Sequence, residues 1–333
     1  MSEPLLAAEH LTKTYDARRV GWTGSPQTVR AVDDVSLSIE PGETLGLVGE
    51  TGCGKSTLAR CVARLQPLTG GTVRFDGHDI STLSGRQLRP LRRDMQVIFQ
   101  DPYGSLNPRR RVGSIIGDGL AIHHAAGRAA RRAQVQELME VVGLNPEHFN
   151  RFPADFSGGQ RQRIGVARAL ALRPKLIICD EPVSALDVSI QAQVINLLLD
   201  LQREFRLTYL FISHDLSVVR HVSTRIAVMY LGRIVETGTV EELFAAGRHP
   251  YTRALLSAVP PADPDAADSR DPVVLTGDLP SPVNPPSGCP FHPRCPRRQT
   301  DCEVTTPPLV AAFDDGPGHL TACLHPVSEN DGP

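Results

Sequence analysis

"GETGCGKST" (49–57) is the stretch whose reading decides the fold. It fits G-x-x-x-x-G-K-[ST] through Gly49, Gly54, Lys55 and Ser56. The short apolar run "ETLGLVG" (43–49) leads into it, and residues 56–66 read as a helix. A strand, a Gly-rich loop and a helix in that order predict a phosphate cradle. Glycines let such a loop wrap backbone N–H groups around phosphate oxygens that side chains would obstruct. The helix N-terminus adds the positive end of its dipole. Glu50, Thr51, Gly52, Cys53 and Thr57 complete the cradle. Lys55 is placed for the β- and γ-phosphates, and the Ser56 hydroxyl for Mg²⁺.

A second chemical element lies downstream in "KLIICDE" (175–181). Asp180 ends an apolar strand, where a carboxylate can hold Mg²⁺ through water. Glu181 follows and can polarise an attacking water. "TYLFISHD" (208–215) is another strand, with a helical segment (188–204) between the two. That β–α–β order implies a parallel sheet. Upstream, residues 1–80 read as β-rich, with "AVDDVSLSIE" (31–40) alternating at period two. Residues 112–172 read mostly as helix, and "RIAVMYLGRIVETG" (225–238) as a hairpin turning at Leu231-Gly232. The composition changes after Pro250. "VPPADPDAADSRDP" (259–272) reads as a linker, and a Pro- and Cys-rich tail follows.

The chain has 333 residues, 41% of them hydrophobic, with a formal net charge of −2. The length suits one large domain plus a small one. Arginine-rich stretches at 89–93, 109–111 and 128–132 read as solvated faces, because nothing aromatic is interleaved with them. Nucleic acid is therefore not an expected partner. No segment approaches the roughly 20 apolar residues that span a bilayer, and the N-terminus lacks a signal-peptide pattern. A cytoplasmic chain that reaches the membrane through partners is expected. In a reducing compartment, clustered cysteines read as metal ligands rather than disulfides.

"FSGGQRQR" (156–163) resembles the signature sequence of the nucleotide-binding subunits of ABC transporters, with Phe156 in the slot that usually holds Leu. Ser157, Gly158, Gly159 and Gln160 are in place. Other positions match in order. Gln100 in "VIFQDP" resembles the Q-loop glutamine, Asp187 in "SALD" the D-loop aspartate, and His214 in "FISHD" the switch histidine. Tyr15 resembles the aromatic that stacks on adenine, although a surface tyrosine is the plain alternative. The resemblance implies a P-loop ABC-type α/β domain over 1–258. It would contain a parallel core sheet, an N-terminal antiparallel β-subdomain and an inserted helical subdomain over about 102–170. It also implies ATP and Mg²⁺ as cofactors, with Ser56, Gln100 and Asp180 toward the metal. Glu181, His214 and Gln100 would be catalytic. In the family, ATP is sandwiched between one subunit's cradle and another's signature, so a dimer of nucleotide domains is implied.

In finer detail the chain is similar to the ATPases of oligopeptide and dipeptide importers. An insertion after Tyr15 (16–30), "QDPYGSLNPR" (100–109) and "HPYTRALLSAVP" (249–260) carry this. The related nickel importers share much of it, and a soluble ABC ATPase is the remaining alternative. The resemblance implies two membrane permease subunits, a second and paralogous ATPase subunit, and an extracytoplasmic peptide-binding protein. Location would be the cytoplasmic face of the membrane. Trp22 either packs on a partner or covers core. Beyond a linker at 259–280, the tail (281–333) holds Cys289, Cys295, Cys302 and Cys323. Their C-x5-C-x6-C-x20-C spacing lacks the close pairs usual for zinc and suits a [4Fe–4S] cluster better. Zinc, or no metal, remains open. His292, His319 and His325 are candidate substitutes. The tail is expected to join the ATP-binding region only through the linker.

Overall fold

Three largely apolar runs of the sequence are strands in which every residue is buried: β3 (Thr44–Val48), β7 (Leu176–Asp180) and β8 (Thr208–Ile212). The computed structural model describes residues 3–17, 27–101, 104–123, 127–259, 275, 277–313 and 318–328. In chain order, β1 (Leu6–Ala17) and β2 (Gln27–Ile39) precede β3. Helix α1 (Lys55–Val62), β4 (Gly70–Phe75), β5 (His78–Asp79), α2 (Gly85–Asp94) and β6 (Met95–Ile98) follow. Helices α3 (Val112–Ile116), α4 (Asp118–Ile122), α5 (Arg128–Val141) and α6 (Gly158–Leu170) lead to β7. Helix α7 (Val188–Phe205) links β7 to β8. After β8 come α8 (Leu216–Val222), β9 (Arg225–Tyr230), β10 (Arg233–Thr239), α9 (Val240–Ala246) and α10 (Pro250–Ser257). The tail adds two short strands, β11 (Val310–Ala311) and β12 (Leu320–Thr321).

The chain divides into two compact units. The first comprises Met1–Leu5, Ile39–Thr44 and Thr82–Ser213. Within it β6, β7 and β8 form parallel pairs, Met95 opposite Leu176 and Leu176 opposite Thr208. The helical region expected over 112–172 is broken into short pieces. Gly117 caps α3, and Pro146 and Pro153 each open a 3₁₀ turn. Proline at a first helical position lacks only an N–H that would be unpaired there anyway.

The second unit comprises Leu6–Ser38, Leu45–Ser81 and His214–Pro333. One sheet has the order β2-β1-β4-β5, with antiparallel β1/β4 and β4/β5 pairs. A second runs β11-β12-β10-β9-β3. Only β3/β9 is parallel there; β9/β10, β10/β12 and β11/β12 are antiparallel. The expected parallel core thus carries an antiparallel flank, because β10 returns through a two-residue turn. That turn is the predicted Leu231-Gly232, at φ 43° and 81°. Helix α1 ends at Val62, earlier than expected, where Arg64 takes φ 51° and donates Nε to Ile80 O at 2.9 Å. Residues 18–26, with Trp22, and 260–274 of the expected linker lie outside the described residues.

Candidate functional site

The cradle belongs to the second unit. A Cβ at Gly49 would lie 2.2 Å from Met229 O, and one at Gly54 would lie 2.0 Å from Ala31 O. Both take φ values in the left-handed half of the map, 150° and 110°. Backbone therefore passes where a side chain cannot, and the loop stays tight against β9 and β2. The Cys53 carbonyl accepts from Gly232 N–H at 2.8 Å. Lys55, 4% exposed, donates Nζ to Gly49 O at 2.7 Å and to Glu50 O at 3.0 Å. Those carbonyls stabilise an ammonium that burial would otherwise penalise. Ser56 follows in the first turn of α1. The Cys53 thiol sits against Lys55, yet burial outweighs that attraction and pushes its pKa up. It is a packing group rather than a nucleophile.

The first unit holds the acids. Asp180 ends β7 at 3% exposure. Glu181 is next, at φ 48°, a backbone region costly for a residue with a Cβ. Its N–H donates to Ile212 O at 3.0 Å, which fixes it to the end of β8. Its Oε2 accepts from Gln100 Nε2 at 2.7 Å, across 81 residues of sequence. Gln100 and Glu181 are therefore brought together. The same unit carries the signature. Ser157 caps α6, its Oγ accepting from Gln160 N–H at 3.4 Å and its own N–H donating to Gln160 Oε1 at 3.1 Å. Ser157 and Gln160 are exposed. Phe156 is buried and meets His148 edge-on, so the apolar slot is filled. A Cβ at Gly159 would meet Ile190 Cγ2 at 2.4 Å. Asp187 is exposed at the start of α7, and Val188 beside it is 81% exposed.

His214 opens the second unit's last segment and is exposed. Tyr15, in β1, is 37% exposed, donates its hydroxyl to Gln66 Oε1 at 2.5 Å and has Lys13 Nζ 4.8 Å from its ring centroid.

The tail is joined to the second unit by far more than a linker. β12 pairs with β10, Glu236 opposite Thr321. Glu236 is fully buried and accepts from Arg248 N–H (2.6 Å) and His249 N–H (3.0 Å). His319 of the tail lies 2.8 Å from its Oε1. The "HPY" residues are equally tied in. His249 Nδ1 accepts from Tyr251 N–H at 3.0 Å, Pro250 opens α10, and the Tyr251 hydroxyl accepts from Glu50 N–H at 2.9 Å. Phe291 is 1% exposed and packs against Tyr230, Tyr251 and His249, at 5.3, 5.4 and 5.5 Å between centroids. Three residues on, Arg294 donates Nη1 to Glu50 Oε2 at 2.8 Å and Nη2 to Glu50 Oε1 at 3.0 Å. Sequence reasoning missed Arg294, Glu236 and Phe291. Only the "HPY" motif pointed toward them.

Cys289 and Cys302 are buried, and Cys289 N–H donates to Cys302 O at 2.8 Å. The Cys323 thiol is pushed up to about 12, chiefly by burial and then by the nearby charges of Cys289, Cys295 and Cys302. Tetrahedral zinc, with bonds of about 2.3 Å, needs its sulfurs roughly 4 Å apart. Among the described residues, the one set of three or more ligand atoms lying within 4.8 Å of one another is Asp301, Cys302 and His325, not the cysteines. Cys53, Cys61 and Cys179 are all buried, as packing cysteines should be.

No helix among the described residues is long and apolar enough to cross a membrane. The profile of the "ABC transporter" family matches residues 32–184, and that of the "Oligopeptide/dipeptide transporter, C-terminal region" matches 235–302. A probable peptide ABC transporter ATP-binding protein of Sinorhizobium fredii is 53% identical over 97% of this chain and 90% of its own. An oligopeptide transport ATP-binding protein of Bacillus subtilis is 51% identical, over 96% and 97%. A di/tripeptide transport ATP-binding protein of Pseudomonas aeruginosa is 50% identical, over 92% and 94%. Among solved structures, a dimeric ATP-binding cassette in a post-hydrolysis state with ADP and Pi is 29% identical, with a TM-score of 0.63 over 71% of this chain and 98% of its own. At 50–53% identity over more than nine-tenths of its length to these relatives, the chain belongs to the ATP-binding subunits of the oligopeptide/dipeptide ABC transporters.

Proposed function

We propose that this subunit hydrolyses ATP to power import of di- or oligopeptides, with Glu181 as the general base. The Gln100–Glu181 hydrogen bond at 2.7 Å carries the reading. It ties Gln100 to a glutamate at a strained strand end, which supports reading Glu181 as the group that orients the water. Lys55 and the loop N–H groups bind phosphate, Ser56, Gln100 and Asp180 serve Mg²⁺, and His214 contacts the γ-phosphate. Tyr15 receives the adenine. Mg²⁺, when bound, neutralises the charge that develops on the transferred phosphoryl group. The names of the relatives favour peptides over nickel.

The partners are two membrane permeases, an extracytoplasmic peptide-binding protein and a paralogous ATPase subunit, at the cytoplasmic face of the membrane. The exposed run Ser157, Gln160, Asp187 and Val188 supports a face that meets the second ATPase. Cys289, Cys295, Cys302 and Cys323 would hold a [4Fe–4S] cluster, whose role would be to cross-link the tail. Iron with acid-labile sulfide in anaerobically purified protein is the expected result; stoichiometric zinc overturns it.

The central test uses the assembled transporter. Glu181→Gln should lower ATP turnover at least about 10²-fold, the usual worth of a general base, with ATP binding kept. Peptide uptake should fall in parallel. Unchanged hydrolysis removes Glu181 from the mechanism, and uptake of nickel but not peptide reassigns the substrate.

A further inference from the structure

Glu50, the first residue after Gly49 in the cradle, is held at both its main chain and its side chain by residues from beyond position 250. Its N–H donates to the Tyr251 hydroxyl at 2.9 Å. Its carboxylate takes both arms of the Arg294 guanidinium, at 2.8 and 3.0 Å. Its carbonyl accepts from Lys55 at 3.0 Å. Arg294 is 7% exposed and Glu50 28%. A two-pronged pair from which water is largely excluded fixes direction as well as distance. Arg294 is itself fixed. It ends the 3₁₀ turn His292–Arg294, immediately before Cys295, while Phe291 fills a slot between Tyr230, Tyr251 and His249. Its guanidinium also lies beside the Tyr230 hydroxyl.

We propose that Arg294 is a positioning residue for the phosphate cradle: through Glu50 it sets the loop conformation that receives ATP, so that the cysteine tail controls nucleotide affinity. The inference rests on reading 49–57 as the ATP cradle. Preorganisation is the physical point. A loop held in its binding shape by a fork at one end loses less freedom when phosphate enters. Arg294 reaches neither phosphate nor water in this role. Its loss should therefore raise the ATP concentration needed and leave the chemical step alone.

The test is a double-mutant cycle on the full-length chain, read as the Kd of a fluorescent ATP analogue with Mg²⁺. Arg294→Ala and Glu50→Gln should each raise Kd about tenfold, the scale of one charge-assisted contact. The double variant should be no weaker than either single one. In the assembled transporter, Arg294→Ala should raise KM for ATP with kcat within about twofold. Arg294→Lys, which keeps the charge and loses the fork, should fall between wild type and Ala. If Arg294→Ala does not fold, the cycle of Glu50→Gln with Arg294→Lys decides in the same way. Additive effects, or an unchanged Kd in the single variants, overturn the inference. Failure of the wild type to bind ATP would instead overturn the cradle reading.

Discussion

A methyl group on Gly54 would sit 2.0 Å from the Ala31 carbonyl oxygen, and at Gly52 it would meet nothing within 4 Å. Both residues have positive φ, 110° and 86°. The two substitutions therefore separate backbone strain from steric exclusion. Gly52→Ala should cost about 1–2 kcal/mol, the general penalty of a left-handed residue with a Cβ. Gly54→Ala carries that penalty and must also displace β2 backbone, so it should abolish ATP binding by distorting the loop. Titration calorimetry with MgATP checks the pair. Equal affinities for the two variants would remove the steric account. The need for glycine at 54 was legible from the motif alone. The reason it is required, the closeness of Ala31, was not, because 23 residues separate them and the sequence encodes no distance.

At the scale of elements, strands announce themselves and docking does not. β3, β7 and β8 are apolar because they are buried, and the β9–β10 hairpin shows its turn. The mostly helical reading of 112–172 holds, as separate helices with breaks at Gly117, Pro146 and Pro153, where local breakers outweigh overall composition. Nothing in the spacing could show that Arg294 meets Glu50 across 244 positions or that His319 meets Glu236 across 83. The start of α10 makes a prediction of its own. His249 accepts from Tyr251 N–H, so its Nδ1 carries no proton, and burial holds its pKa near about 4, below the ordinary 6.5, with Glu236 opposing. The unfolded chain takes up this proton as pH falls through 6.5; the folded chain does not until about 4. The stability tied to neutral His249 is thus fully present above 6.5 and is lost progressively as pH falls toward 4, in all roughly 3 kcal/mol. His249→Asn keeps an acceptor for the cap and removes the titration. Thermal melts between pH 7.5 and 4.5 should show a flatter decline for that variant. Parallel declines would place the acid sensitivity elsewhere.

The whole molecule carries one cradle and one signature, and under the proposed function each ATP lies between a cradle and a signature from different subunits. That arithmetic tests the pairing. Lys55→Ala removes the ammonium from the cradle and leaves Ser157 and Gln160 untouched. Ser157→Arg places a bulky cation on the exposed cap of α6 and leaves Lys55 untouched. If two identical chains formed the motor, mixing the two variants would generate dimers with one intact site, the cradle of the Ser157→Arg chain facing the signature of the Lys55→Ala chain. Partial hydrolysis would return. If the partner is a paralogue, each assembled motor contains one copy of this chain, and mixing restores nothing. We expect no restoration when the variants are co-assembled with the permeases and the paralogue, and ATP binding by the isolated Ser157→Arg chain at wild-type affinity. Recovery of about a quarter of the wild-type turnover in an equal mixture, where half the dimers are mixed and each has one of two sites intact, would show a homodimeric motor.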